Sequence, residues 1–285
     1  MLAAASATIL IWGGTPVVTK VAVDGLDAVV VGILRTVIAS AVVLPVVAFG
    51  GVAFPRTTTE RGLLALSALG GFVVFPLLFS LGLARTSAAH GALVLASLPI
   101  FTGLFGALFE RRAPRGRWWL GAGVALAGEV ALIAYRFGLG GAGAGLAGDL
   151  LVVLSCAGAA LGYVAGGRLS RTLGTWPTTL WGLTAGGILL VPALALVGSD
   201  TDWTAIGVDV WLAVGYLALL SSILAYVAWY WALARGGFAR VGAAQFAQPV
   251  VSLALAALLL AEPITPPLAA SAAVILIGIA IARRR

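Results

Sequence analysis

Leu83-Ala84-Arg85 recurs as Leu233-Ala234-Arg235, and Pro99 recurs as Pro249, each 150 residues further along the chain. Glu110 with Pro114 is echoed by Glu262 with Pro266 after a slip of two residues. Both copies lie among long apolar runs, so the chain reads as a duplicated set of apolar helices. Duplication of a helical bundle within one chain is the ground plan of secondary carriers.

Of the 285 residues 61% are hydrophobic and 9% charged, too few polar groups to cover a water-soluble domain. In hydrocarbon each unpaired backbone group costs several kcal/mol, and the runs lack the alternating polar period of a barrel strand, so the spans are helical. The first helix carries no recognisable cleavage site and is read as retained. Cys156 is the single cysteine and by itself neither staples the chain nor holds a metal.

Apolar runs of roughly 17 to 24 residues predict an all-α membrane protein with ten transmembrane helices. In the first half they cover approximately Leu2 to Val23, Val29 to Phe49, Gly62 to Leu83, Ala88 to Phe109 and Trp118 to Ala134. The second half gives Asp149 to Gly166, Thr178 to Val197, Val210 to Leu233, Val241 to Leu260 and Pro267 to Ala282. The organisation is therefore a five-helix repeat over 1–137, a glycine-rich linker over 138–148 and a second five-helix repeat over 149–285.

With the N-terminus inside, thirteen Lys and Arg residues fall in cytoplasmic loops and ends, against Lys20, Arg85 and Arg136 outside and Arg35 within a helix. Both termini are thus expected in the cytoplasm. The net charge of +7 is explained by topology and anionic head groups, and no nucleic-acid partner is implied. Five is odd, so the second copy crosses the membrane in the opposite sense and the repeats are inverted. Exchange of shape between inverted halves gives alternating access.

The pattern resembles the EamA-type members of the drug/metabolite transporter superfamily over nearly the whole chain. It is carried by Trp12-Gly13-Gly14, Arg35, the run from Gly82 to Ala89, Pro99 and Glu110, then by Arg235-Gly236, Pro249, Glu262-Pro263 and Gly278. The resemblance implies a multi-pass protein of the bacterial inner membrane. It also implies a cavity lined by the first four helices of each half, a peripheral fifth and tenth helix, and export of amino acids or other small metabolites.

No phosphate-cradling Gly-x-x-x-x-Gly-Lys-Ser/Thr loop is present, so this chain does not hydrolyse ATP. No cofactor or metal is expected, and the partners are a small-molecule substrate, the bilayer and a second copy in a homodimer. Titratable groups at membrane depth are few: Arg35, Glu129, His90 and Lys20. All four fall in the outer half of the first repeat, and their counterparts differ: Arg35 aligns with Trp181, His90 with Arg240, and Gln245 and Gln248 with Leu95 and Leu98. Broken chemical symmetry suits an asymmetric solute.

The expected binding residues are Trp12, Thr15, Arg35, His90, Tyr163, Trp181, Tyr226, Gln245 and Gln248. Arg35 lies roughly 9 Å inside its helix at 1.5 Å per residue. It reads either as an anchor for a substrate carboxylate, which guanidinium suits, or as a structural pair with Glu129 or with carbonyls freed near Pro16. Gln245 and Gln248 are three apart and share a helix face, for a solute or for interhelical bonds. Tyr and Trp offer aromatic walls, although those at helix ends read as interfacial anchors.

Gating or hinge positions are Gly13, Gly14 and Pro16, where a break in the first helix would free carbonyls, together with Pro99 and Pro249 in mid-helix. One His, one Cys and no His-Glu-x-x-His motif argue against an intramembrane enzyme. Proton-coupled efflux of cationic drugs, which needs a cavity carboxylate, and lipid handling, which needs a lateral groove, stand as the alternatives.

Overall fold

The computed structural model describes residues 2–111, 116–138, 144–236, 245 and 247–283. Within them the chain folds into α1 (Leu2–Gly25), α2 (Ala28–Phe49), α3 (Thr58–Leu83), α4 (Ala88–Glu110), α5 (Gly116–Gly138), α6 (Ala144–Leu169), α7 (Thr175–Val197), α8 (Val208–Arg235), α9 (Gln248–Leu259) and α10 (Pro266–Arg283). Seven of these, all but α5, α9 and α10, are long and apolar enough to cross a membrane. Shorter apolar stretches lie in α9 and α10.

Local sequence sets the helix starts. The Asp27 carboxylate accepts from Val29 N and Val30 N to open α2. Thr57 and Glu60 form a capping box, so α3 begins four residues before the predicted Gly62. The helix α6 begins at Ala144 rather than Asp149, so only 139–143 of the glycine-rich stretch lies outside the described helices. Gly148 is helical because it packs against Gly82 and Arg85 of the α3–α4 turn.

Three helices change pitch midway. Ala68–Val74 in α3 and Tyr216–Leu224 in α8 are π-helical, and Leu95–Ser97 in α4 is a 3₁₀ turn ahead of Pro99. The expected break at Gly13-Gly14-Thr15-Pro16 does not occur, for α1 is continuous through Pro16. The carbonyl that Pro16 leaves without an amide partner, Trp12 O, instead accepts from Gln248 Nε2 at 3.5 Å. Pro76 has the same effect on Phe72 O, which accepts from Thr36 Oγ1 at 2.6 Å. A neighbouring helix thus supplies the missing donor in each case, as hydrocarbon demands.

The packing pairs are α3 with α6, α4 with α6, α1 with α8, α1 with α9, α2 with α7 and α5 with α10. Residue partners fix their sense. Gly82 meets Gly148 and Gly70 meets Gly158, so α3 and α6 are antiparallel, while Thr8 bonds Ala225 O and Trp12 bonds Ser221 O, so α1 and α8 are too. Close approach of α3 to α6 requires glycine: a Cβ on Gly162 would lie 2.6 Å from Gly71 N. The helices α2 and α7 cross where Thr36 faces Gly186, with a Cβ on Gly186 only 3.3 Å from Thr36 Cγ2.

Candidate functional site

Arg35, only 2% exposed, sits where α2 meets the π-helical part of α8. Its Nε donates to Ser222 Oγ and its Nη2 to Ser221 Oγ, each at 3.0 Å. The guanidinium carbon lies 5.3 Å from the Phe75 ring centre, within cation–π range. Ser222 in turn donates to Leu217 O at 2.8 Å, and Ser221 Oγ is 3.2 Å from Thr15 Oγ1.

A guanidinium has five N–H groups and carries a full charge. Two are used here, both on neutral hydroxyls, and among the described residues no carboxylate lies within 4.0 Å of it. Burying an ion costs several kcal/mol unless a counter-charge offsets it, and the described residues offer Arg35 hydroxyls and a ring face but no such counter-charge.

Beside it stands an aromatic box. Trp12 stacks on Tyr163 with ring centres 5.1 Å apart, and meets Tyr226 edge-on at 5.3 Å and Trp229 at 5.5 Å. Polar tips fix the rings: Trp12 Nε1 donates to Ser221 O at 3.0 Å and Tyr226 OH to Gly71 O at 3.0 Å. Tyr230 OH bonds Ser67 Oγ at 2.9 Å and Gly162 O at 3.3 Å. Trp229 Nε1 and both amide atoms of Gln245 are buried and make no hydrogen bond among the described residues.

The structure therefore gathers Trp12, Thr15, Arg35, Tyr163, Tyr226 and Gln248 around one cluster drawn from both halves. It does not gather all the expected residues. Trp181 donates to Ala53 O at 3.0 Å and packs on Phe54, at the end of α2 away from Arg35. His90 Nδ1 faces Asp149 Oδ2 at 3.8 Å, and Thr86 Oγ1 donates to the other oxygen of that buried carboxylate at 2.7 Å. Lys20 pairs with Asp24 at 2.6 Å. The side chain of Glu129 and all of Arg240 lie outside the described residues.

Pro99 and Pro249 both stand in the first turn of an α-helical segment, following a 3₁₀ turn in α4 and opening α9. Ser221, Ser222 and Asp149 escaped the sequence reading. The signal for the serines was two adjacent hydroxyls amid the apolar run Tyr216 to Leu224.

The EamA-like transporter family model matches residues 1–134 and again residues 146–284. The chain belongs to the EamA-like transporter family. It is thereby a member of the drug/metabolite transporter superfamily. This EamA-like chain is 33% identical over 283 residues to an uncharacterized transporter, YdeK, of Bacillus subtilis (strain 168), covering 97% of this chain and 94% of that one. It is 26% identical over 262 residues to the inner membrane transporter YedA of Escherichia coli (strain K12), covering 86% and 78%. A solved crystal structure with 22% sequence identity shares the fold, with a TM-score of 0.68 over 98% of this chain and 94% of that one.

Proposed function

We propose that this EamA-like transporter is a ten-span carrier of the bacterial inner membrane that exports small metabolites such as amino acids by alternating access, with Arg35 as the carboxylate anchor. The observation that carries the reading is the buried Arg35 guanidinium, which among the described residues bonds only the hydroxyls of Ser221 and Ser222 and faces the Phe75 ring. An incoming carboxylate supplies both the missing charge and paired acceptors for the remaining N–H groups. Trp12, Tyr163 and Tyr226 offer apolar faces to the rest of the solute.

Helix pairing supports two inverted five-helix repeats, and the excess of Lys and Arg in one set of loops supports cytoplasmic termini. Adding 150 to one partner and subtracting it from the other turns the Gly71–Gly162 approach into the Ser221–Trp12 contact. The self-pairs α2 with α7 and α5 with α10 run antiparallel, as a two-fold axis in the membrane plane requires. The π-helical segments of α3 and α8 are related by the same interval.

The test is counterflow in proteoliposomes, loaded separately with amino acids and with cationic dyes, with and without a pH gradient. Exchange of amino acids supports the reading. Dye movement tied to the pH gradient, without amino-acid exchange, replaces it by proton-coupled drug efflux.

A further inference from the structure

Glu262 lies beyond the end of α9, yet its carboxylate is bonded to the first turn of α4. Oε1 accepts from Ala88 N at 2.8 Å and Oε2 from Ala89 N at 2.7 Å. Both amides belong to the opening turn of a helix, where they have no intrahelical acceptor and where the dipole favours a negative group. The contact spans 174 and 173 residues of sequence and joins the two halves of the chain.

The end of α9 is shaped to deliver this carboxylate. Ala261 adopts φ +52°, a left-handed conformation that L side chains seldom take, and it turns the chain so that Glu262 N bonds back to Ala256 O at 3.4 Å. Glu262 is thus fixed to α9, which packs with α8 on α1, whereas Ala88 and Ala89 belong to α4, which packs with α3 on α6. Two groups of three helices meet at this seam. Beneath the carboxylate the seam is apolar and closed: Val17 of α1, Ala89 of α4 and Ala256 of α9 share one buried cluster.

The sequence does not repeat this carboxylate in the other copy. Arg111, also at φ +52°, ends α4 as Ala261 ends α9, and the two are 150 residues apart. The position matching Glu262 is therefore 112, where the sequence has Arg, which cannot accept from amides.

We propose that Glu262 is a gate residue that holds one face of the carrier shut by clamping α9 onto the first turn of α4, and that this face opens only when the clamp releases. The inference goes beyond the solute reading and needs only that the two three-helix groups separate during the transport cycle.

The experiment places a cysteine at Ala256 in a Cys156→Ala background and follows its modification by a membrane-impermeant maleimide in purified full-length protein. In Glu262→Gln, modification is expected to accelerate at least tenfold, because the amide offers one acceptor where the carboxylate offered two. Ala88→Pro tests the clamp from its other end. Residue 88 is the first of its helix, Ser87 already has the extended ψ of 162° that a following proline prefers, and the N–H removed is the one given to Glu262, with the proline ring taking its place against the carboxylate.

Acceleration in Ala88→Pro, with little added by combining it with Glu262→Gln, supports the clamp. If Glu262→Gln does not fold, Ala88→Pro decides alone. Modification that is unchanged or slower in a monodisperse Ala88→Pro protein overturns the proposal. No solute enters the assay, so this result is independent of whether amino acids are carried.

Discussion

Replacing Arg35 by Gln separates binding from folding, because the two terms run in opposite directions. On the binding side, a paired guanidinium–carboxylate contact contains two charge-assisted hydrogen bonds of about 1.5–3 kcal/mol each. An amide keeps one neutral bond of about 1 kcal/mol, so the net loss is about 2–5 kcal/mol. At about 1.4 kcal/mol per decade, the affinity for a carboxylate solute falls roughly 30- to 4,000-fold. On the folding side, Arg35 gives up its bonds to Ser221 and Ser222, but a buried ion with no counter-charge among the described residues is removed with them. The lost bonds and the relieved desolvation are each several kcal/mol and largely cancel. Arg35→Gln is thus expected to unfold in detergent within a few degrees of the parent while amino-acid counterflow collapses. Exchange retained within threefold, or a variant that fails to reach the membrane folded, would falsify the anchor role.

Gly70→Ala drives a methyl group into Gly158 O and to 2.9 Å from Gly162 N, both backbone, and should destabilise by about 1–3 kcal/mol. Gly123→Ala, with nothing within 4 Å, should be neutral or slightly stabilising, and thermal unfolding of the two compares them. Thr36→Val strands the Phe72 carbonyl freed by Pro76 and should cost about 1–3 kcal/mol. Pro76→Ala returns an amide to that carbonyl, so a double-mutant cycle should show the pair costing less than the sum. In the loop after α7, the Thr204 hydroxyl and amide hold the Asp202 carboxyl below the usual range. A depressed value means its contribution is present above the unfolded value of about 3.9 and is lost as pH falls through the folded one. Carbon NMR should find Asp202 still ionised at about pH 4, and Thr204→Ala should move its midpoint up.

The helices were legible because length and apolar character suffice to name a span, but local chemistry within them was not. The apolar run makes Asp149 the first residue of a helix, a place where a carboxylate is commonplace. Because α6 starts at Ala144, Asp149 lies inside the helix and is buried against Thr86 and His90. Comparison of the two copies in sequence sets Trp181 opposite Arg35. The crossing of Thr36 with Gly186 restores the interval of 150 and gives Ala185 as the counterpart. Glu110 and Glu262 looked equivalent because both are acidic near a helix end. Under the inverted-repeat reading the left-handed residues Arg111 and Ala261, 150 apart, match Glu262 with position 112, and Glu110 faces Arg171 at 3.7 Å. Pitch changes in α3 and α8 left no signal in an apolar run, and Ser221 and Ser222, which bond Arg35, lie within the π-helical part of α8.

Under the inverted-repeat reading, the same interval explains why the polar cluster lies on one side of the bundle. Trp12 corresponds to Gly162, Tyr163 to Gly13, Ser221 to Gly71 and Arg35 to Ala185. Where α3 meets α6, glycines bring the backbones into contact and leave no room for a solute. Where α1 meets α8, the equivalent positions carry an indole and a hydroxyl, and the Arg35 guanidinium is bonded to that hydroxyl. A two-state motion needs only that the two halves share a backbone plan, and the glycine seam preserves it. Recognition of a solute with distinct ends needs the halves to differ, and the substitutions that make them differ fall within one seam and the residue beside its axis. On that reading, duplication supplies the motion and its divergence supplies the site.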